Sequence, residues 1–406
     1  MKNVWWYASL WVLVLAAGAT TDGLVAHSAF ANHTLAITGE PAICNPSVKQ
    51  RSGYLHISDG RHLFFWFFEA RESPEDAPLM LWLNGGPGCS STMGFKYPWN
   101  RYANIIFLDS PTGTADMAED VYAFLSLFFV HFPEYVAAPF HIAAESWGGH
   151  YGPNNVNLIH LRNKEIRLVP QPGLREINLS SLIIANGLTD PAIQFASVAD
   201  YGCGGAPYPP FDPNGSQCSD IPVCEFLIQM CYRYQWKPEC VHATNFCWET
   251  VLMPIAKAWM NDPSNQQILG VDGTRKFGMC NMILNSAFYD AGQAMHNSAS
   301  LLPDVIDGGL RLLAFAGNTG ALAQFQMVER WMGKLEHKYH SEFATAPSRR
   351  WKTKESSIIG EVRSAGSGAG NVAFVQVYDA GHMAPHDQPE VVADMISRWL
   401  KNVSFT

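Results

Sequence analysis

The run Phe140-His141-Ile142-Ala143-Ala144-Glu145-Ser146-Trp147-Gly148-Gly149 constrains the fold more than any other stretch of this chain. Its opening residues are an apolar run of strand length, and a helix is expected after Gly149. A serine set between a buried strand and a helix stands on a sharp, strained turn, so its neighbours must be small. The usual pattern places glycine two residues before and two residues after the serine. Gly148 meets the second requirement, and Ala144 is the small residue at the first.

Other segments repeat the strand signal. Residues 63–68, 79–83, 104–108, 182–185, 310–315 and 372–377 are short apolar runs stopped by turn residues. Between them, Val121, Phe124, Leu125 and Phe128 recur at helical spacing, and Val391, Val392, Met395, Ile396, Trp399 and Leu400 mark a last amphipathic helix. Strands alternating with helices predict an α/β fold: a mostly parallel central sheet with helices on both faces. With 406 residues, 48% hydrophobic and 16% charged, the chain can bury a large core.

The N-terminus reads differently. Lys2, an apolar run from Val4 to Ala17 and the small-residue site Ala17-Gly18-Ala19 predict a signal peptide over 1–19, and thus the secretory route. Residues 20–45 lack a clear period and are expected to be a loose arm, like the propeptide of a zymogen. Residues 46–199 and 281–406 read as two parts of one core. The stretch 200–280 reads as an inserted cap: it holds Cys203, Cys218, Cys224, Cys231, Cys240 and Cys247, a disulfide framework without a zinc-like Cys-x-x-Cys pair. Asn32, Asn178, Asn214 and Asn402 stand in glycosylation sequons. After signal removal no long apolar run remains, so no stable membrane insertion is expected. A net charge of -9 argues against a nucleic-acid partner. The one dense basic stretch, Arg349, Arg350, Lys352 and Lys354, is expected on a solvated loop or helix face.

Two further signals bear on chemistry. Asn84-Gly85-Gly86-Pro87-Gly88-Cys89 follows a buried strand, and a glycine pair there lets backbone N–H groups face a developing oxyanion. Gly381-His382-Met383 follows the last strand, which places a histidine late in the chain, after the serine.

These runs, with Ser47-Val48-Lys49-Gln50, Ser52-Gly53-Tyr54-Leu55, His150-Tyr151, Asn186-Gly187-Leu188-Thr189-Asp190-Pro191 and Ala384-Pro385, make the sequence resemble the serine carboxypeptidases of the carboxypeptidase Y type across roughly 44–405. The resemblance implies an α/β-hydrolase fold, no cofactor or metal, and peptide or protein C-termini as substrate in a vacuole, lysosome or extracellular space. It implies Ser146 as nucleophile and His382 as base, with the N–H groups of Gly86 and Trp147 forming the oxyanion hole. Asn84, Gly85 and Glu145 would bind the substrate carboxylate, and Met383 would line the leaving-group pocket. A carboxylate binds another only if one is protonated, so Glu145 is expected to be neutral and the reaction to run at acidic pH. The implied disulfides are Cys89–Cys280, Cys203–Cys218, Cys224–Cys247 and Cys231–Cys240, with Cys44 free.

The chain also departs from the family. The catalytic aspartate falls three residues after the glycine that ends its strand; here that glycine is Gly317, and the third residue on is Gly320. The glutamate that shares a proton with the Glu145 position is missing from the shortened run Gly94-Phe95-Lys96-Tyr97-Pro98-Trp99. Pro111-Thr112-Gly113-Thr114-Ala115-Asp116 lacks a Gly-Phe-Ser-Tyr stretch that walls the cleft. The readings that follow are an impaired carboxypeptidase, a degraded paralogue that binds peptides or has little activity, an active enzyme with misassigned exons, and a different acyl-transfer chemistry on the same scaffold.

Overall fold

Thirteen strands among the described residues form one sheet in the computed structural model, which describes residues 19–21, 23–43, 45–57, 60–92, 99–109, 114–197, 203, 216–251, 282–320, 325–352 and 357–405. The strands are β1 (Ala19–Thr21), β2 (Leu24–Ala26), β3 (His33–Gly39), β4 (Gln50–Ile57), β5 (Arg61–Phe68), β6 (Leu79–Leu83), β7 (Asn104–Leu108), β8 (Phe140–Glu145), β9 (Leu179–Ala185), β10 (Arg311–Gly317), β11 (Arg349–Lys352), β12 (Ile358–Ala365) and β13 (Val372–Val377). Their order is β1-β2-β3-β4-β5-β7-β6-β8-β9-β10-β13-β12-β11. The centre, β7-β6-β8-β9-β10-β13, is parallel. Both flanks are antiparallel, so the sheet as a whole is mixed.

The helices that cover it are α1 (Thr114–His131), α2 (Gly148–Leu168), α3 (Pro191–Ala196), α4 (Ser216–Tyr234), α5 (Lys237–Val251), α6 (Met282–Asp290), α7 (Phe325–Lys334) and α8 (Pro389–Leu400). The central strands bury both faces, which is why they read as unbroken apolar runs. Side chains alternate across a strand. Leu79, Leu81 and Leu83 therefore join the core under α1 and α2. Met80 and Trp82 join the opposite core, with Val392, Met395, Ile396 and Trp399 of α8. This is the expected α/β-hydrolase architecture.

Two expectations need correction. The described residues of 20–45 are not a loose arm: β3 pairs along β4 from His33↔Ile57 onward, and Val25 and Leu35 are fully buried. Asp120 of α1 fixes the segment further, held by His33 Nε2 at 2.8 Å and Arg61 Nη1 at 2.9 Å. No clear period marks this region because its short strands bury only a few positions, Val25, Leu35 and Ala36. The basic stretch is solvated but forms a strand, β11, whose Arg349, Arg350 and Lys352 are exposed. Charges on an outermost strand discourage further strand pairing. The expected signal peptide lies outside the described residues apart from the backbone of Ala19.

Helices α4 and α5 form the described part of the expected cap. They are joined by Cys224–Cys247 and Cys231–Cys240, with Cys203–Cys218 at the start of α4. Tyr232 of α4 donates to Asp190 Oδ1 at 2.9 Å and docks these helices on the core. Cys89 is disulfide-bonded; Cys280 and Cys44 lie outside the described residues. Asn32, Asn178 and Asn402 are exposed, and Asn214 lies outside the described residues.

If residues 23–39 belong to the folded core, Leu35→Ala should destabilise the protein by about 2–5 kcal/mol in denaturant unfolding. A loose arm would leave the midpoint unchanged.

Candidate active site

The strands β6, β8, β9, β10 and β13 all end on one side of the sheet, and their following loops meet there. In open α/β sheets this carboxyl edge is where ligands bind. Ser146 ends β8 with φ 61, the left-handed backbone that an elbow requires. The small residues have a measurable reason. A side-chain carbon on Gly148 would come within 2.8 Å of Ala144 Cβ. On the other side, a Cβ on Gly85 would lie 2.3 Å from Trp147 N and 2.8 Å from Ser146 Cβ. The glycine loop after β6 is therefore packed directly on the elbow. Among the described residues, neither Gly86 N–H nor Trp147 N–H donates to a protein acceptor.

His382 follows β13, and its Nε2 stands 2.8 Å from Ser146 Oγ although the two are 236 residues apart. Its turn is tied down at several points. Gly381 N–H donates to Asp387 Oδ2 at 2.8 Å, Thr319 N–H to Ala380 O at 2.9 Å, and Asp379 N–H to Asn318 Oδ1 at 2.8 Å. Asn186, fully buried after β9, sets its amide between His382 O at 3.2 Å and Gly317 N at 3.3 Å, and the amide orientation that satisfies both has Nδ2 donating to His382 O and Oδ1 accepting from Gly317 N–H. Met383 is half-buried and accepts from the N–H groups of His386 and Asp387.

Gly320 lies against this turn. A Cβ there would be 2.8 Å from His382 N and 2.9 Å from Gly381 C, both backbone atoms. The loop after β10 thus runs beside the histidine turn, and it brings no carboxylate from position 320. Asp379 is exposed, with its backbone turned at φ 52.

A second group of side chains sits beside the elbow. Trp82 Nε1–H donates to Asn84 Oδ1 at 2.6 Å, and Asn84 Nδ2 donates to Glu145 Oε2 at 2.9 Å. The indole consumes the amide oxygen, so the amide nitrogen is fixed toward Glu145. Glu145 is buried, and its Oε1 has no partner among the described residues. Burial pushes its pKa up to about 8, against the Asn84 bond, with the Asp387 charge adding to the rise. Behind it, Asp109 accepts from Ser90 Oγ at 2.6 Å and from Ser91 N–H at 3.1 Å. Asn84 N–H donates to Ser91 Oγ at 3.1 Å, so Asp109 braces the glycine loop. Desolvation raises its pKa to about 6, and those two bonds hold it down. Trp147 turns its ring away from this edge, against His150, Phe288 and Tyr289.

The structure thus brings Ser146, His382, Gly85, Gly86, Trp147, Asn84 and Glu145 to one edge. Trp82, Ser91, Asp109, Asn186 and Asp387 join them without having been singled out for a role in the sequence. Asn186 stood in a noted motif, but nothing in its spacing reveals a contact with His382. The altered runs at 94–98 and 110–113 lie outside the described residues.

The sequence profile of the serine carboxypeptidase family matches residues 41–233 and 227–402. The chain belongs to the serine carboxypeptidase family. Carboxypeptidase Y of Schizosaccharomyces pombe is 32% identical over 446 residues, spanning 93% of this chain and 44% of that protein. Carboxypeptidase Y homolog A of Ajellomyces dermatitidis is 33% identical over 415 residues, spanning 87% of this chain and 74% of the relative. The chain therefore spans less than half of the first relative and about three quarters of the second. In three dimensions, the prohormone-processing carboxypeptidase Kex1(Δ)p of Saccharomyces cerevisiae superposes with a TM-score of 0.70 at 21% identity, covering 90% of this chain and 94% of that one. That likeness supports the α/β-hydrolase fold of this serine carboxypeptidase family member.

The buried carboxyls and histidines set a pH dependence of stability. Glu145 rises from 4.5 to about 8 and Asp109 from 3.8 to about 6, so both stabilise in their protonated forms. The Asp109 contribution is lost as pH rises through 6, and that of Glu145 as pH rises through 8. His141 and His150 are lowered by burial from 6.5 to about 3, so their contribution is complete above 6.5 and lost on acidification. Of these four groups, only Glu145 still loses its contribution between pH 6.5 and 8. The melting temperature should fall across that window, and Glu145→Gln should flatten the fall. A flat wild-type profile would contradict the assignment.

Proposed function

We propose that this chain is a serine carboxypeptidase that removes C-terminal residues from peptides through an acyl-enzyme on Ser146, with turnover weakened by glycine at position 320. The observation that carries the reading is the 2.8 Å approach of His382 Nε2 to Ser146 Oγ, on an elbow flanked by the Asn84–Glu145 pair. Ser146 Oγ attacks the carbonyl carbon of the last peptide bond while His382 Nε2 takes its proton. The N–H groups of Gly86 and Trp147 receive the developing oxyanion. His382 then protonates the leaving amine, the C–N bond breaks and the C-terminal residue departs. Water, deprotonated by His382, cleaves the ester and restores Ser146.

Asn84 and Glu145 select chain ends. A neutral Glu145 donates its O–H to the substrate's terminal carboxylate, whereas an ionised one repels it. Burial, with the Asp387 charge adding to it, raises the Glu145 pKa to about 8 without the second glutamate that the family supplies. The site thus has a pH ceiling rather than a need for strong acid. The secretory route, ending in a vacuole, a lysosome or the extracellular space, fits the N-terminal sequence and the paired cysteines. No helix among the described residues is long and apolar enough to cross a membrane.

Position 320 favours impairment over intact catalysis. In other serine triads, removing the acid's function costs on the order of 10⁴ in turnover. A fluorophosphonate probe should label wild type on the order of 10³–10⁴ more slowly than an intact triad enzyme, and Ser146→Ala not at all. Labelling at an intact-triad rate would sink the impairment. Absence of both labelling and blocked-dipeptide hydrolysis between pH 4 and 7 would leave only the degraded, peptide-binding paralogue.

Two variants probe the details. Gly320→Asp should recover less than the full loss, because its Cβ would press on the His382 backbone at 2.8 Å. KM for a peptide should rise as pH passes about 8, and Glu145→Gln should remove that rise, because its neutral amide donates at every pH.

A further inference from the structure

We infer that Asn186 is a positioning residue for the Ser146–His382 pair, holding the main chain of His382 from a loop whose neighbouring residues hold the main chain of Ser146. The inference rests on the reading of His382 as base to Ser146. The loop after β9 reaches both partners. On the nucleophile side, Ser146 N–H donates to Ala185 O at 2.9 Å and Leu188 N–H donates to Ser146 O at 2.9 Å. These bonds grip the two peptide units on either side of Ser146. On the base side, in the amide orientation that satisfies both partners, the Asn186 side chain donates to His382 O at 3.2 Å. It accepts from Gly317 N at 3.3 Å, while Asn186 N–H donates to Phe315 O at 2.8 Å. One short loop is therefore bonded to the elbow, to the end of β10 and to the histidine turn.

The residue type suits the task. Asn186 has φ 44, a left-handed backbone that asparagine tolerates better than most residues. Its amide carries a donor and an acceptor on two separate atoms, so it can bond two different main-chain groups at once. A fully buried amide in this place has to bond main-chain groups, and the groups available are the histidine carbonyl and the Gly317 N–H. The aspartate position of the family is glycine here, so side-chain support for the imidazole from position 320 is absent.

Two variants separate positioning from folding. Asn186→Gly keeps the left-handed backbone and deletes the amide. Asn186→Asp keeps the shape and the bond from Gly317 N–H, but sets an oxygen against His382 O. Fluorophosphonate labelling and kcat should fall by roughly 10- to 100-fold in both, with KM for a blocked dipeptide unchanged. Rates within twofold of wild type, or a rise in KM at constant kcat, overturn the proposal. Crystal structures of wild type and Asn186→Gly decide it even if neither protein turns over. The Nε2–Oγ separation should stay near 2.8 Å in the first and lengthen beyond hydrogen-bond reach in the second. An unchanged separation overturns the proposal. A wild type that does not label overturns the proposed function alone.

Discussion

The left-handed backbone of Ser146 is the constraint on which the site depends. A non-glycine residue held in this conformation costs on the order of 1–3 kcal/mol, which the surroundings must offset. They do so through close contact. Ala144 and Gly148 meet behind the turn, and Gly85 lies where no side chain fits. The residues after β9 then bond the peptides on either side of the serine. Each contact that holds the turn also brings neighbouring groups together: the Gly85 approach lays the glycine loop against Trp147 N, and the β9 loop sets the Asn186 amide beside the histidine carbonyl.

The polar groups around this turn depend on desolvation. Burial raises the Glu145 pKa and so favours its neutral form, and Asn84 is oriented toward it because Trp82 occupies the other end of the amide. Asp109, two strands away, ties the glycine loop from below. The Asn84–Glu145 pair is thus held in place, while position 320, beside the histidine turn, carries no carboxyl. On the proposed reading, the change at position 320 falls on rate rather than on recognition of chain ends.

Much of this was legible in the residues. Residues 63–68, 79–83, 104–108, 182–185, 310–315 and 372–377 declared themselves because strands buried on both faces have no polar alternation to blur them. The elbow was legible from Ala144 and Gly148, since steric need writes itself into side-chain size. The cap cysteines were legible as a framework but not as pairs: six cysteines allow fifteen pairings. The pairs in the structure coincide with those the resemblance implies. Residues 20–45 misled, because short antiparallel strands at a sheet flank bury only a few positions such as Val25 and Leu35. Asn186 and Asp387 stayed hidden for another reason: a side chain that bonds a distant main-chain group leaves no periodicity.

The N-terminal strands change what maturation of this chain can mean. The connection over 40–49 joins β3 to β4, and most of its described residues are solvent-facing. A protease cutting there would not free a fragment. The upstream piece would remain hydrogen-bonded along β4, with His33 still on Asp120, as one chain of a two-chain assembly. Stripping it away would uncover the length of β4 as a raw edge, an invitation to aggregation that an intact or merely nicked molecule never presents.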